Sequence, residues 1–189
     1  MINAEHSPSP LLDPDGPGWI FREQSHIGIT SNDIHRTIAA YEELGYTFVV
    51  RSGELTLRRP GLEAQEPFTA LSAWSLQGPP HIEIAENADA GGHPLLWPSR
   101  GEDYIDHVGY WVDDLVAASA KLEEIGFPME ATPAGDATRP LGFCYHRLPS
   151  GVRVELEDGP MRKQILAAQF DRVRAGETGI ISYAPFAAD

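Results

Sequence analysis

The chain has 189 residues, 42% of them hydrophobic, with 28 Asp and Glu against 14 Lys and Arg for a net charge of −14. That charge repels nucleic-acid backbones and anionic lipid surfaces, so neither is an expected partner. The single cysteine, Cys144, excludes an internal disulfide framework, and no long apolar run reads as a membrane span, so a cytoplasmic location is expected.

Residues 1–18 are acidic and rich in proline (Pro8, Pro10, Pro14, Pro17). Such a segment buries too little apolar surface to offset its ordering entropy and is expected to be a flexible arm. The fold is expected to begin near Trp19. From there the chain repeats itself. His26-Ile-Gly-Ile, Asn32-Asp33 and Tyr41-Glu-Glu-Leu-Gly-Tyr46 match His107-Val-Gly-Tyr, Asp113-Asp114 and Leu122-Glu-Glu-Ile-Gly-Phe127. The offset is constant, since 107 − 26, 114 − 33 and 126 − 45 all equal 81. An ungapped register over some twenty positions is the mark of a duplicated supersecondary unit.

In each copy the histidine lies on a strand, and an Asn-Asp or Asp-Asp pair supplies capping oxygens for the helix that follows. Ile34, Ile38, Tyr41 and Leu44 recur at helical spacing, as do Leu115, Ala118, Leu122 and Ile125. Gly45 and Gly126 suit the left-handed position that closes a helix. Further strands are read near 47–51, 68–76 and 81–86 in the first copy and near 142–148 and 152–157 in the second. The expected fold class is α+β: two tandem βαβββ modules, 19–87 and 105–158, forming a cupped mixed sheet around a metal site. A Gly- and Pro-containing linker at 88–104 joins them. At 159–189, Ile165, Leu166, Phe170 and Val173 mark one face of a terminal helix, followed by a tail.

Strand alternation places His81 and Glu83 on the face opposite Ile82 and Ile84, and Arg153, Glu155 and Glu157 on the face opposite Val152, Val154 and Leu156. Each copy therefore pairs a first-strand histidine with a last-strand glutamate: His26 with Glu83, His107 with Glu155. Two imidazoles and two carboxylates carry a formal charge of −2 and suit one divalent cation, Zn²⁺, Ni²⁺, Co²⁺, Mn²⁺ or Fe²⁺. Arg153 and Glu157 read as a solvated strand edge. His81 is either a base or proton shuttle beside Glu83, or exposed. His35 and His146 have no counterpart in the other copy and are not expected to be ligands. Trp74, Trp97, Tyr104 and Trp111 are candidates for lining an apolar substrate pocket, against ordinary core packing.

These residues resemble the vicinal oxygen chelate superfamily of glyoxalases, bleomycin-resistance proteins and extradiol dioxygenases. The resemblance rests on Ser-His-Ile-Gly-Ile, His-Ile-Glu-Ile, Asp-His-Val-Gly-Tyr and Arg-Val-Glu-Leu, and it covers about 19–158. It implies an isomerase, epimerase or glyoxalase-type lyase that moves a proton next to a carbonyl of a small oxygenated substrate. The metal ligands would be His26, Glu83, His107 and Glu155, and the base Glu83, Glu155 or His81. The run from Gly142 to Gly151 is similar to the methylmalonyl-CoA epimerase branch, whereas Glu83 is similar to glyoxalase I. An extradiol-type dioxygenase using His26, His107 and Glu155 is the first alternative; a metal-free drug-binding protein is the second. In this superfamily the modules pair within one chain or across a homodimer.

Overall fold

The computed structural model describes residues 16–59, 66–135 and 139–182. Most of the arm expected at 1–18 lies outside these residues, as does the end of the tail, 183–189. The fold begins two residues before Trp19: a short 3₁₀ turn spans Pro17–Phe21, with Pro17 and Ile20 buried.

Among the described residues ten strands form one mixed sheet: β1 Gln24–Ser31, β2 Phe48–Leu55, β3 Leu57–Arg58, β4 Phe68–Ser75, β5 His81–Glu86, β6 Tyr104–Val112, β7 Met129–Pro133, β8 Phe143–Arg147, β9 Arg153–Asp158 and β10 Ile180–Ser182. Three α-helices among the same residues accompany them: α1 Ile34–Glu42, α2 Leu115–Glu124 and α3 Gly159–Arg174. The spatial order is β10-β2-β4-β5-β1-β6-β9-β8-β7-β3. Its centre is palindromic: β1 answers β6, β5 answers β9, β4 answers β8 and β2 answers β7. The two βαβββ units thus meet through the antiparallel pair β1 and β6.

Only Thr56 separates β2 from β3, yet these strands lie toward opposite ends of the sheet order. One stretch of chain can bridge both ends only if the sheet curls until its edges approach. Leu57 pairs with Pro133, and the Ala134 amide donates to the Thr56 carbonyl at 2.7 Å. The α+β fold is therefore a strongly curved half-barrel with α1 and α2 outside, a concave interior, and α3 against the inward face.

Local chemistry fixes the repeat. Asp33 accepts a hydrogen bond from the Arg36 amide at 3.0 Å, and Asp114 accepts from the Ala117 amide at 2.9 Å, so both helices begin at the same side-chain cap. Gly45 and Gly126 follow the helix ends at φ 89° and 92°, a conformation open to glycine. Ile34 and Ile38 pack with Ile84 on the outer face of the first module; Leu115, Ala118 and Leu122 pack with Val154 and Leu156 on the second. Leu44 breaks the helical pattern: it lies beyond α1 and is 74% exposed.

β7, five residues ending in Pro133, is the strand that the second βαβββ unit requires after Gly126. Two strands have no counterpart in the sequence-based expectation, β3 and β10, which are two and three residues long. Neither is long enough for alternation to register. The linker region contributes to the interior: Leu96 and Trp97 are buried against Leu55, Ala85 and Tyr145. α3 lies against Val49, Trp74, Trp111 and Ile181 through Leu166 and Phe170.

Candidate metal centre

The register of the central strands assembles the site. β1 runs parallel to β5 with Gly28 opposite Glu83, and β6 runs parallel to β9 with Gly109 opposite Glu155. Between them, antiparallel β1 and β6 set His26 opposite Gly109 and His107 opposite Gly28. Each module's imidazole therefore lies over the other module's glycine. A Cβ on Gly28 would stand 2.0 Å from His107 Cε1, and one on Gly109 would stand 2.1 Å from His26 Cε1. The repeated His-x-Gly sequence has a steric purpose: histidine points inward, and two residues on glycine makes room for its counterpart.

All four inward groups are buried, and one ligand atom from each of His26, Glu83, His107 and Glu155 lies within 4.8 Å of the others. The two Nε2 atoms are 2.9 Å apart. Glu155 Oε2 lies 3.2 Å from His26 Nε2 and 3.0 Å from His107 Nε2, and Glu83 Oε2 lies 3.5 Å from each. A cation with bonds of about 2.1 Å spaces adjacent ligands about 3.0 Å apart in an octahedron and about 3.4 Å apart in a tetrahedron. The donor set and its spacing fit a divalent cation.

The outer atoms of these ligands are also held. His107 Nδ1 faces Asp106 Oδ2 at 3.1 Å, and His26 Nδ1 faces Ser25 Oγ at 2.9 Å and Glu157 Oε2 at 3.5 Å. Acceptors behind Nδ1 keep the proton there and leave the Nε2 lone pairs facing inward. Ser25 and Asp106 occupy equivalent repeat positions, since 106 − 25 = 81. Glu83 Oε1 accepts from Trp74 Nε1 at 2.8 Å and from Arg51 at 3.4 Å; Glu155 Oε2 accepts from the Tyr145 hydroxyl at 2.9 Å.

Electrostatics follow from burial and close pairing. Burial opposes charge on His26, but hydrogen bonds to Glu155 and Glu157 and their charges outweigh it and raise its pKa to about 9. His107 is raised well above its ordinary value against the same burial by Asp106, Glu155 and Glu83. Burial pushes the glutamates up, yet Glu83 falls through His107 and His26, and Glu155 through His107 and His26. Glu157, against its burial, is drawn down to about 2 by the Arg162 guanidinium and His26. Burial and the Glu155 charge hold the Tyr145 phenol well above its usual range, so it stays a donor. The concave centre is a set of carboxylates seeking positive charge.

The structure brings the four expected ligand residues together and places His81 elsewhere. Its Nδ1 donates to the Ser75 carbonyl at 2.8 Å, and its ring lies among Trp74, Trp111 and Phe170. It lines a cavity of about 260 Å³ beside α3, whereas Glu83 and Glu155 line a small cavity of about 20 Å³ with Trp97, Tyr145 and Arg51. Of the four candidate pocket aromatics, Trp97 borders the glutamates, Trp111 borders the α3 cavity, and Trp74 supports Glu83. Tyr104 is partly buried, its hydroxyl donating to the Pro98 carbonyl at 2.6 Å. His146 is fixed by the Phe127 carbonyl and Ser119, and His35 is exposed, so neither joins the cluster.

Arg153 and Glu157 correct the solvated-edge reading. Glu157 is fully buried and bound to Arg162 at 2.6 Å; Arg153 is 3% exposed and bound to Asp106 at 2.9 Å. Their side of β9 is the inside of the half-barrel, so alternation sends all three charged residues into the protein. Ser25, Asp106 and Tyr145 were not singled out in the sequence. The 81-residue repeat carries a signal for the first two, a polar residue immediately before each histidine.

A family profile for the glyoxalase/bleomycin resistance protein/dioxygenase superfamily matches residues 25–145, well over half the chain. The chain belongs to this superfamily. Among solved structures, the hypothetical protein BH1468 from Bacillus halodurans C-125 is similar at 17% identity and TM-score 0.51, covering 72% of this chain and 93% of that one. Methylmalonyl-CoA epimerase from Mycobacterium tuberculosis is similar at 21% identity and TM-score 0.49, covering 77% and 91%. The halotolerant catechol dioxygenase BphC is similar at 18% identity and TM-score 0.42, covering 72% and 40%. Comparison with curated protein sequences gives no match. Within the superfamily fold, this member carries a histidine and glutamate pair from each module, all in one chain. Among its described residues no helix is long and apolar enough to cross a membrane.

Proposed function

We propose that this protein is a metal-dependent enzyme that moves a proton on the carbon next to a carbonyl of a small oxygenated substrate, as an isomerase, epimerase or glyoxalase-type lyase. The observation that carries the reading is the buried set of His26, Glu83, His107 and Glu155, whose inward atoms lie within 4.8 Å of one another. These four residues would hold the cation. A divalent cation bound there supplies Lewis acidity toward substrate oxygens.

The residues around the set divide the remaining work. Asp106 and Glu157 fix the imidazole orientations from behind, and Tyr145 holds Glu155 in place through its 2.9 Å hydrogen bond. Glu83 is the base favoured by geometry. Its Oε2 is the more distant carboxylate atom, 3.5 Å from both imidazoles, while Trp74 and Arg51 anchor its Oε1 as a pivot. Glu83 Oε2 takes the α-proton as the C–H bond breaks and its electron pair passes toward the carbonyl oxygen, and the same carboxylic acid then returns the proton to carbon. Trp97, Leu55 and Phe143 line the adjoining cavity and exclude water from that transfer. His81, in its separate cavity, is less suited to the role.

One observation favours a second reading. The tighter triad of His26, His107 and Glu155, at 2.9 to 3.2 Å, matches the two-histidine, one-carboxylate face of ring-cleaving dioxygenases, with Glu83 standing further off. Proton NMR in D₂O over a panel of hydroxy ketones, 2-oxo acids and thioesters separates the two. Metal-dependent deuterium uptake at the α-carbon, lost in Glu83→Gln, supports the proton-transfer reading. Consumption of O₂ by the Fe²⁺-loaded protein with catechols, and no deuterium uptake, supports the second. Absence of stoichiometric metal binding in calorimetry refutes both.

A further inference from the structure

Among the described residues one groove is basic in a chain that is acidic as a whole. Below the metal centre, on the concave side of β8 and β9, two adjoining cavities of about 540 and 420 Å³ share Arg147 and Arg153 as common walls. Arg59 borders the first and Arg100 the second. The described lining holds four guanidiniums against two carboxylates, Glu130 and Asp106, an excess of two positive charges in a chain whose net charge is −14.

The carboxylates are already committed. Glu130 takes Arg147 at 2.6 Å and Arg153 at 3.0 Å, and Asp106 takes Arg153 at 2.9 Å. Arg153 is 3% exposed and also donates to the Leu95 carbonyl at 2.7 Å, so it is a fixed post rather than a mobile surface group. Among the described residues Arg59 and Arg100 make no ion pair; Arg100 lies over the Tyr104 ring at 4.0 Å. Both are exposed. The excess charge therefore sits at the two ends of the groove, in positions open to a ligand.

The walls between them are apolar. Pro94, Leu95, Pro98, Pro128 and Met129 line the larger cavity. Each cavity lies in the size range of small-molecule sites, about 300–1,000 Å³, and is far roomier than an inorganic ion needs. Guanidinium groups present paired N–H donors that match phosphate and carboxylate oxygens, and a diphosphate offers several such oxygens and more negative charge than a single carboxylate.

We infer that this groove binds a small phosphate-bearing organic molecule of the nucleoside diphosphate type, with its phosphates on Arg100 and the exposed edge of Arg147 and its base and sugar against the proline and leucine wall beside Arg59. The second cavity reaches His107 and Asp106, so the groove adjoins the histidine and glutamate set, but its guanidiniums do not depend on a cation there. It also gives the overall negative charge a role, since non-specific polyanions are repelled while one small anion finds a local well.

The test is isothermal titration with ADP, using metal-free full-length protein in buffer without divalent ions, so that no cation bridges the probe to the protein. Expected is saturable one-to-one binding that weakens about fivefold or more in Arg59→Ala and in Arg100→Ala, further in the double variant, and as salt rises. Lys121→Ala, on the distant surface of α2, should bind as wild type. Inorganic pyrophosphate should bind at least fivefold more weakly than ADP because it has no body to rest on the wall. Lack of saturable ADP binding at millimolar concentration would overturn the inference. So would wild-type affinity in the Arg59→Ala and Arg100→Ala double variant, equal weakening by Lys121→Ala, or pyrophosphate binding as tightly as ADP. Unchanged melting temperatures without ligand show that each variant is folded.

Discussion

Replacing Gly109 by alanine tests the cross-module packing and the metal site together. The added Cβ would stand 2.1 Å from His26 Cε1 and 2.2 Å from its Nδ1, whereas ordinary contact begins at 3.4 Å. The ring must therefore retreat by 3.4 − 2.1 = 1.3 Å or the two strands must part. Retreat is blocked by Trp74, whose ring centroid is 4.5 Å away, and by Ser25 at 2.9 Å. Metal–ligand bonds tolerate errors of about 0.2 Å, so a shift of this size removes His26 from a coordination sphere. Overpacking a close-packed interior costs about 1–3 kcal/mol. Gly109→Ala should thus lower the melting temperature of the metal-free protein while weakening Zn²⁺ binding at least a hundredfold, measured by competition with a chromophoric chelator. Gly28→Ala, whose Cβ would meet His107 at 2.0 Å, should behave alike. Wild-type metal affinity in a folded Gly109→Ala protein would refute the assignment of His26 as a ligand.

His107→Ala should abolish metal binding and activity together, read by elemental analysis after dialysis and by the deuterium-uptake assay; retained stoichiometric metal would contradict the site. Trp74→Phe removes the donor to buried Glu83 Oε1 at 2.8 Å and should cost about 1–3 kcal/mol in denaturant unfolding; an unchanged midpoint would count against the pivot role. Asp103 accepts from the Asn32 amide at 2.9 Å, from Thr37 at 2.7 Å and from Arg36 at 3.2 Å, and against its partial burial these hold its pKa below the ordinary value of 3.8. A carboxylate whose folded pKa is depressed adds stability that is present above 3.8 and is lost as pH falls through the lower folded value. Wild type and Asp103→Asn should therefore differ in melting temperature at pH 7 and converge toward pH 3, and a constant gap would exclude this linkage. Burial raises the Cys144 thiol to about 12, so iodoacetamide at pH 8 should label it only as fast as the protein unfolds. Rapid labelling in native buffer would show the interior of the second module to be open.

What could be read from the sequence was whatever repeats or alternates over several residues. The offset of 81 between His26 and His107 is enough to place both first strands, both capped helices and both glycine closures. Alternation in His81-Ile82-Glu83-Ile84 and Val152 to Glu157 gave the facing of Glu83 and Glu155. The curvature of the sheet could not be read. It depends on β2 and β3 reaching opposite ends of the strand order through Thr56, and β3 is only two residues long. Curvature also decides what a strand face means: on a flat sheet Arg153 and Glu157 would be solvated, whereas on this one they are buried and paired. The same blindness affected His81. It shares a face with Glu83, yet the aromatic layer of Trp74, Trp111 and Phe170 surrounds its ring and turns it to a different cavity.

The duplication does more than supply two ligand pairs. His26 occupies space left by Gly109 and His107 space left by Gly28, so neither module has room for the other's imidazole unless both keep their glycine. A single module offers one histidine and one glutamate on a half-open sheet, with too few ligands to fix a cation against water. Only the antiparallel meeting of β1 and β6 brings the two Nε2 atoms to 2.9 Å. The supports behind the ligands have diverged while the ligands have not. Asp106 backs His107 and is itself held by Arg153, whereas the equivalent Ser25 is neutral and His26 relies on Glu157 from β9, held by Arg162 from α3. The first module thus draws its negative charge from the second, and the second contributes both outer carboxylates. This asymmetry means that loss of α3 should loosen His26 before His107. An α3 packed on Trp74 and Trp111 is accordingly part of the candidate metal centre, through the buried Arg162 guanidinium.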